Sequence, residues 1–331
     1  MAVLPGAYRI VYQLTDGSKT LRVATIRHRS LVYRGDPRRA SPAPSTRGDY
    51  RPAAAVPLIG LPTPTPEDQM PHADVNGQRL FYEDSGGEGD VIVFSHGYLM
   101  SHAMFDAQVA VLRDRWRCIA WDERGHGQTV TTPDPFTYWD SADDLLGLLD
   151  HLGVERAVLA GMSQGGYLSL RAALTAPDRV RALVLMDTQP GVEDPAKVGG
   201  YDQLIEAWLA PGGPPQEVVD TVATIILGTD YADAARWMDA AKQTPPDTMR
   251  QIYATLRTRE DDVTARLGEL TMPALVIHGE NDLSIDLDTA RWFAGALPDA
   301  ELVVIDGAGH AANLTHADAV NPPLEAFLAR L

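Results

Sequence analysis

Apolar residues along this chain fall into two rhythms. From about residue 78 to the end, short unbroken apolar runs alternate with longer stretches in which an apolar residue returns every three or four positions. The runs predict strands near Gln78–Glu83, Val91–Ser95, Arg117–Trp121, Ala157–Gly161, Ala182–Met186, Ala274–His278 and Glu301–Ile305. Most are apolar at consecutive positions, as strands buried on both faces are. The periodic stretches predict helices over Ala103–Leu112, Ser141–Leu152, Gly165–Thr175, Asp288–Leu297 and Pro323–Leu331. Strand and helix in alternation imply an α/β domain, doubly wound about a mostly parallel sheet.

One interval breaks the alternation. Between Met186 and Pro273 no run reads as a strand, yet helical patterns occur at Tyr201–Leu209, Gln216–Leu227, Ala232–Lys242 and Asp247–Thr258. An all-helical insert, residues 189–265, is expected to cover the sheet edge as a cap on a core formed by 70–188 and 266–331. Most of its apolar residues should pack the insert on itself. Trp208 and Trp237 are its expected substrate contacts.

Upstream the pattern is different. Residues 8–35 alternate β-branched and aromatic residues on either side of Thr15-Asp16-Gly17-Ser18, which predicts a hairpin closed by a two-residue Asp-Gly turn. The segment resembles the C-terminal hairpin of RelE/ParE-type toxins, whose basic strands end in a run like His28, Arg29, Val32, Tyr33 and Arg34. The helices that precede that hairpin in such toxins are missing, and a lone hairpin is marginally stable, so no RNA cleavage is expected of it. Residues 36–69, rich in Pro, Ala, Arg and Ser, read as a disordered linker. Met70 opens a stretch that reads as a fresh beginning, which makes residues 1–69 a fused remnant or an overlong reading.

Composition leaves the class unchanged but narrows the partners. At 331 residues, 45% hydrophobic and 22% charged, the chain can build one large α/β domain. Residues 1–69 carry 10 Lys+Arg against 5 Asp+Glu, net +5, and the remainder 18 against 40, net −22, which gives the formal −17. So acidic a body repels nucleic acid and anionic membrane, and neither is expected as a partner. The single cysteine, Cys118, lies in the apolar run Cys118-Ile119-Ala120-Trp121 and reads as a buried structural thiol. With no hydrophobic stretch of signal-peptide type and no run of 18 apolar residues, a cytoplasmic protein is expected. No pattern specifies an oligomeric state.

The chemistry centres on Gly161-Met162-Ser163-Gln164-Gly165-Gly166, placed between a predicted strand and a predicted helix. A serine on a sharp strand-to-helix corner projects its hydroxyl into open space, and glycines on either side let neighbouring backbone approach. A serine hydroxyl is a poor nucleophile at neutral pH, so it needs a base and the base needs an orienter. His310, in the loop Gly307-Ala308-Gly309-His310 after the last predicted strand, is the expected base. Asp282, after the strand that follows the insert, is the expected acid, with Asp187 at another strand end as the alternative. His278 lies inside a strand, and His126 and Asp122 read as turn and packing residues. The peptide N–H groups of Tyr98, after Phe94-Ser95-His96-Gly97, and of Gln164 are the expected oxyanion donors. Met162 is expected to line the pocket. No metal or cofactor is required.

As an ordered set, His96-Gly97, Asp122-Glu123-Arg124-Gly125-His126-Gly127, the serine motif, Asp282 and Gly307-Ala308-Gly309-His310 resemble the α/β-hydrolase superfamily over about residues 74–331. The resemblance implies an eight-stranded sheet, a helical cap inserted after the sixth strand, and serine-dependent acyl transfer to water. Ser163 sets the chain apart from haloalkane dehalogenases and epoxide hydrolases, which carry a carboxylate at that corner. Tyr98 after Gly97 sets it apart from lipases with a His-Gly-Gly-Gly loop. The reading is thus an esterase or lactonase acting on a small to medium, apolar substrate. Carbon–carbon bond hydrolases, perhydrolases or haloperoxidases and acyltransferases share the triad and stay open at this point. So does a ligand-sensing protein of slow turnover on the same fold. An RNA- or antitoxin-binding role for the basic N-terminal segment is opposed by the charge of the body. Residues 70–331 expressed alone are expected to fold and keep full hydrolytic activity; loss of either, by circular dichroism or ester turnover, rejects the remnant reading.

Overall fold

The computed structural model describes residues 71–331, apart from 133, 194 and 259–261, together with two strands near the N-terminus. The chain divides into two units, residues 1–65 and 66–331. In the first, β1 (Tyr8–Leu14) pairs antiparallel with β2 (Leu21–His28). Leu14 stands opposite Leu21 at the end of the described pairing. The Asp16-Gly17 turn and the expected linker at 36–69 lie outside the described residues.

The second unit is an eight-stranded sheet. Its strands are β3 (His72–Val75), β4 (Gln78–Asp84), β5 (Val91–Ser95), β6 (Arg117–Trp121), β7 (Ala157–Met162), β8 (Val180–Met186), β9 (Ala274–Gly279) and β10 (Ala300–Ile305). They run across the sheet in the order β10-β9-β8-β7-β5-β6-β4-β3, all parallel except that β4 is antiparallel to both β3 and β6. The unbroken apolar runs are explained by two cores, one on each face. On β5, Ile92 and Phe94 join one core and Val93 the other, and the same alternation divides β7 and β8. Cys118 is buried in the first core as expected, where burial pushes its thiol up to about 12.

Seven strands match the apolar runs, and β3 is the one the pattern did not reveal. It has only four residues, and His72 and Asp74 alternate with buried Ala73 and Val75, so there is no apolar run to see. The helices of the core are α1 (Asp106–Leu112), α2 (Tyr138–His151), α3 (Gln164–Thr175), and later α8 (Leu287–Ala296), α9 (Ala312–Thr315) and α10 (Ala317–Leu328). The last starts six residues before the expected Pro323, because Pro322 and Pro323 sit inside it rather than at its start. Between β8 and β9 come α4 (Pro195–Trp208), α5 (Gln216–Leu227), α6 (Ala234–Ala241) and α7 (Pro246–Thr258), the helical insert after the sixth strand of the sheet. No helix among the described residues is long and apolar enough to cross a membrane.

The centre of the sheet depends on glycine. β5 lies between β6 and β7 although it precedes both, so the chain turns to opposite sides of β5 at the strands' C-terminal ends, where α/β sheets form their crevice. There α3 rises so close to β5 that a Cβ on Gly165 would run into the carbonyl oxygens of Ser95 and His96, and one on Gly161 into the Gly165–Gly166 backbone. Backbone cannot move aside as a side chain can. Gly165→Ala is therefore expected to cost about 3 kcal/mol of stability or to prevent folding. Gly295→Ala, at an open helical position of α8, should instead stabilise by about 0.5 kcal/mol. Thermal unfolding of both variants checks the contrast.

Candidate active site

The strand ends bring the expected residues to one place. Ser163 joins β7 to α3 with φ +52° and ψ −116°, a left-handed backbone forced by the reversal from strand to helix. Its N–H donates to the Met186 carbonyl at 2.9 Å, and its own carbonyl accepts from the Thr188 hydroxyl at 2.7 Å and the Tyr167 N–H at 3.0 Å. The corner is thus clamped on both sides of the serine.

His310, in the loop after β10, lies 2.9 Å from Ser163 Oγ through Nε2, and its Nδ1 lies 2.8 Å from Asp282 Oδ2. A carboxylate oxygen only accepts, so Nδ1 carries the proton and Nε2 is free to take the serine's. Asp282, after β9, is fixed in turn by N–H donors from Ser284 at 2.7 Å and Ile285 at 3.0 Å to its other oxygen. All three side chains are buried. Burial works against ionisation of Asp282, but the electrostatic pull and hydrogen bond of the adjoining His310 together with the Ile285 N–H outweigh it and hold the carboxyl below the usual carboxylate range.

Asp187, the alternative acid, ends β8 nearby and does something else. One oxygen accepts from Gly279 N–H at 2.8 Å and the other from Ala312 N–H at 3.1 Å, which ties β8 to β9 and to the segment just past His310. Burial and repulsion from Asp282 push its carboxyl well above the usual range, against these two bonds. Asp187, His278 and Asp282 are the one group of three metal-ligating residue types gathered among the described residues. Most of their atoms are already committed, Asp282 to His310, Asp187 to two N–H groups and His278 Nε2 to the Ile285 carbonyl at 2.9 Å, and only the buried His278 Nδ1 has no hydrogen-bond partner. Such a set is a brace for the triad, not an open coordination site.

The expected oxyanion donors lie at the ends of adjacent strands, Tyr98 beyond β5 and Gln164 at the first residue of α3. Neither N–H donates to a protein acceptor among the described residues, as suits the open end of a helix and a loop facing a cavity. Asp122 orders its own turn as expected, accepting from Gln128 N–H and from His102 N–H and Nδ1–H. His126 is buried with its Nδ1–H on the Arg124 carbonyl, and burial pushes it down to about 3.

A cavity of roughly 790 Å³, open mouth included, adjoins Ser163 and His310. Met162 and Trp208 line it as expected. Trp237 does not: it sits on α6, half-buried against the apolar core and off the cavity wall. Beside Trp208, the helical wall comes from Tyr201, Leu204 and Ile205 on α4, Val222, Ile225 and Ile226 on α5, and Met249, Tyr253 and Leu256 on α7. Their spacing of three and four residues was the signal available in the sequence, whereas aromatic size alone does not separate Trp208, on the wall, from Trp237, off it.

The family model described as the alpha/beta hydrolase fold matches residues 90–317. A 2-(acetamidomethylene)succinate hydrolase of Mesorhizobium japonicum is 29% identical over 69% of this chain and 84% of its own length. A non-heme chloroperoxidase of Kitasatospora aureofaciens is 30% identical over 73% and 92%. Among solved structures, the enol-lactonase of Burkholderia xenovorans superposes with a TM-score of 0.71 at 27% identity, over 78% of this chain and all of that one. The family match begins at residue 90, and no comparison supports the likeness of residues 8–35 to a toxin hairpin. A match of that length, reproduced in three dimensions across the whole of a solved relative, makes this chain a member of the α/β-hydrolase fold family.

Proposed function

We propose that the protein is a serine hydrolase that cleaves a carboxylic ester or lactone of a small to medium, apolar substrate through an acyl-enzyme. The observation that carries this reading is the unbroken chain of hydrogen bonds from Ser163 through His310 to Asp282. Ser163 Oγ attacks the carbonyl carbon while His310 Nε2 takes its proton, and Asp282 steadies the imidazolium that forms. The Tyr98 and Gln164 N–H groups hold the oxyanion, each worth about 3 kcal/mol of barrier. Collapse breaks the carbon–oxygen bond, and the leaving alcohol takes the proton from His310. Water then gives a proton to His310 and attacks the acyl group, and the acid departs as Ser163 regains its hydrogen. The insert acts as a cap whose helices α4, α5 and α7 receive the apolar part of the substrate. The enol-lactonase neighbour and a thermophilic esterase from Thermogutta terrifontis, at 26% identity and a TM-score of 0.70, support ester-type chemistry.

Turnover of p-nitrophenyl butyrate tests the reading. Ser163→Ala is expected to lower kcat by about 10⁴-fold or more and Asp282→Asn by about 10³- to 10⁴-fold. Equal rates for wild type and Ser163→Ala sink the proposal. Shortening the pocket wall with Ile205→Ala should raise kcat/KM for hexanoate relative to acetate esters by about 10-fold, as expected for space opened to one or two methylenes. A series of acyl lengths run beside several lactones measures this and separates ester from lactone preference.

A further inference from the structure

Beneath the corner that carries Ser163 lies a polar cluster which neither the triad nor the pocket uses. Glu123, at the end of β6, is 1% exposed, and Gln164 is 2% exposed. Gln164 Nε2 donates to Glu123 Oε2 at 2.5 Å, and Gln164 Oε1 accepts from the Tyr138 hydroxyl at 3.3 Å. The Gln164 side chain is thus held at both ends, and with it the first residue of α3. Glu123 reaches the other side of the site by its main chain. Its N–H donates to His96 Nε2 at 3.0 Å, which leaves Nδ1 as the protonated nitrogen of that ring, and Nδ1–H donates to the Gly97 carbonyl at 2.8 Å. Met100 N–H binds the same carbonyl at 3.1 Å. In a trans peptide the N–H points opposite to the C=O, so fixing the Gly97 carbonyl fixes the direction of the Tyr98 N–H.

We propose that Glu123 is the positioning residue of the oxyanion site, orienting the Tyr98 N–H through His96 and the Gln164 N–H through the Gln164 side chain. The inference rests on the hydrolytic reading above. One residue just past β6 thereby sets both donors, Tyr98 just past β5 and Gln164 at the start of α3. The carboxyl does this as a neutral acid. Burial pushes it up to about 8, and Asp144 on α2 adds to the rise, while the nearby Ser141 hydroxyl, Arg124 in its own turn and the bond from Gln164 oppose it. Arg124 is bound in turn to Asp144, with Asp140 on the same helix near it. His96 faces the cluster from the β5 loop and burial keeps it neutral, and the Ser141 hydroxyl approaches the carboxyl without completing a hydrogen bond. Above about pH 8 the carboxyl ionises, and a negative charge then stands behind the place where the oxyanion must form. The phenols of Tyr98 and Tyr253 are pushed above their usual range and Cys118 up to about 12, so none of the three titrates in that interval.

The test is the pH profile of kcat for p-nitrophenyl butyrate, read at the isosbestic wavelength of p-nitrophenol, for wild type, Glu123→Gln, Glu123→Ala and Ser163→Ala. Wild type is expected to lose kcat on the alkaline side with a midpoint near 8. Glu123→Ala should lower kcat by about 10- to 100-fold with little change in KM, since donors displaced by a fraction of an ångström bind the transition state poorly. Glu123→Gln is isosteric with the protonated acid and cannot ionise. It should rescue most of the loss at pH 7 and stay active through about pH 9.5, where wild type has declined. A Glu123→Gln profile with the same alkaline decline as wild type, or a wild-type profile without one, overturns the proposal. Should Glu123→Ala fail to fold, the comparison of Glu123→Gln with wild type still decides. Turnover that survives Ser163→Ala rejects the hydrolytic reading itself, whereas Ser163-dependent turnover with identical profiles for wild type and Glu123→Gln rejects only the role of Glu123.

Discussion

At φ +52° and ψ −116°, Ser163 occupies backbone space that a serine enters only when its surroundings leave no alternative. The surroundings here are the end of β7, the start of α3 and the end of β5, brought together so tightly that Gly161 and Gly165 admit no side chain. Everything else at the site is measured from that corner. His310 and Asp282 come from later strand ends in the same parallel sheet, and parallel strands place their C-terminal ends along one edge. Sheet topology therefore gathers residues that are more than a hundred positions apart in sequence. The corner determines which of their atoms meet.

Two buried carboxyl groups near one imidazole cannot both be anionic at little cost, and the structure gives them different surroundings. Asp282 has His310 and two N–H donors and holds its charge. Asp187 has two N–H donors and Asp282 for a neighbour, which raises it. The difference in environment, not in residue type, separates orienter from brace. Asp187 nonetheless contributes to the same geometry, because Ala312, which it holds, lies two residues beyond His310.

Much of this was legible in the sequence, for physical reasons. Strands buried on both faces are apolar at consecutive positions, so β5, β7, β8 and β9 stood out most clearly as runs, whereas β3, four residues long and open on one face, left no run. Chain order, a glycine-flanked serine and a histidine in a glycine-loosened loop pointed to Ser163, Asp282 and His310, the three side chains now found in contact. The pocket wall was harder to read. Trp208 and Trp237 are alike in sequence, and only the packing of α4 and α6 distinguishes the one on the cavity from the one on the core. The Glu123–Gln164 pair was not legible at all. It joins residues 41 positions apart through space, and nothing in either local pattern announces a partner.

The helical insert leaves the sheet after β8 and returns at β9, and these two strands are paired neighbours. Its two ends are thus fastened side by side by the ladder, whatever lies between them. A segment attached in this way can lengthen, shorten or be replaced wholesale while the strand tips that carry the reacting groups keep their spacing. For the proposed hydrolase, selectivity and reactivity are in this sense separately heritable: one can drift across a lineage through exchange of helices, while the other is preserved by the paired strands that hold the two ends of the insert together.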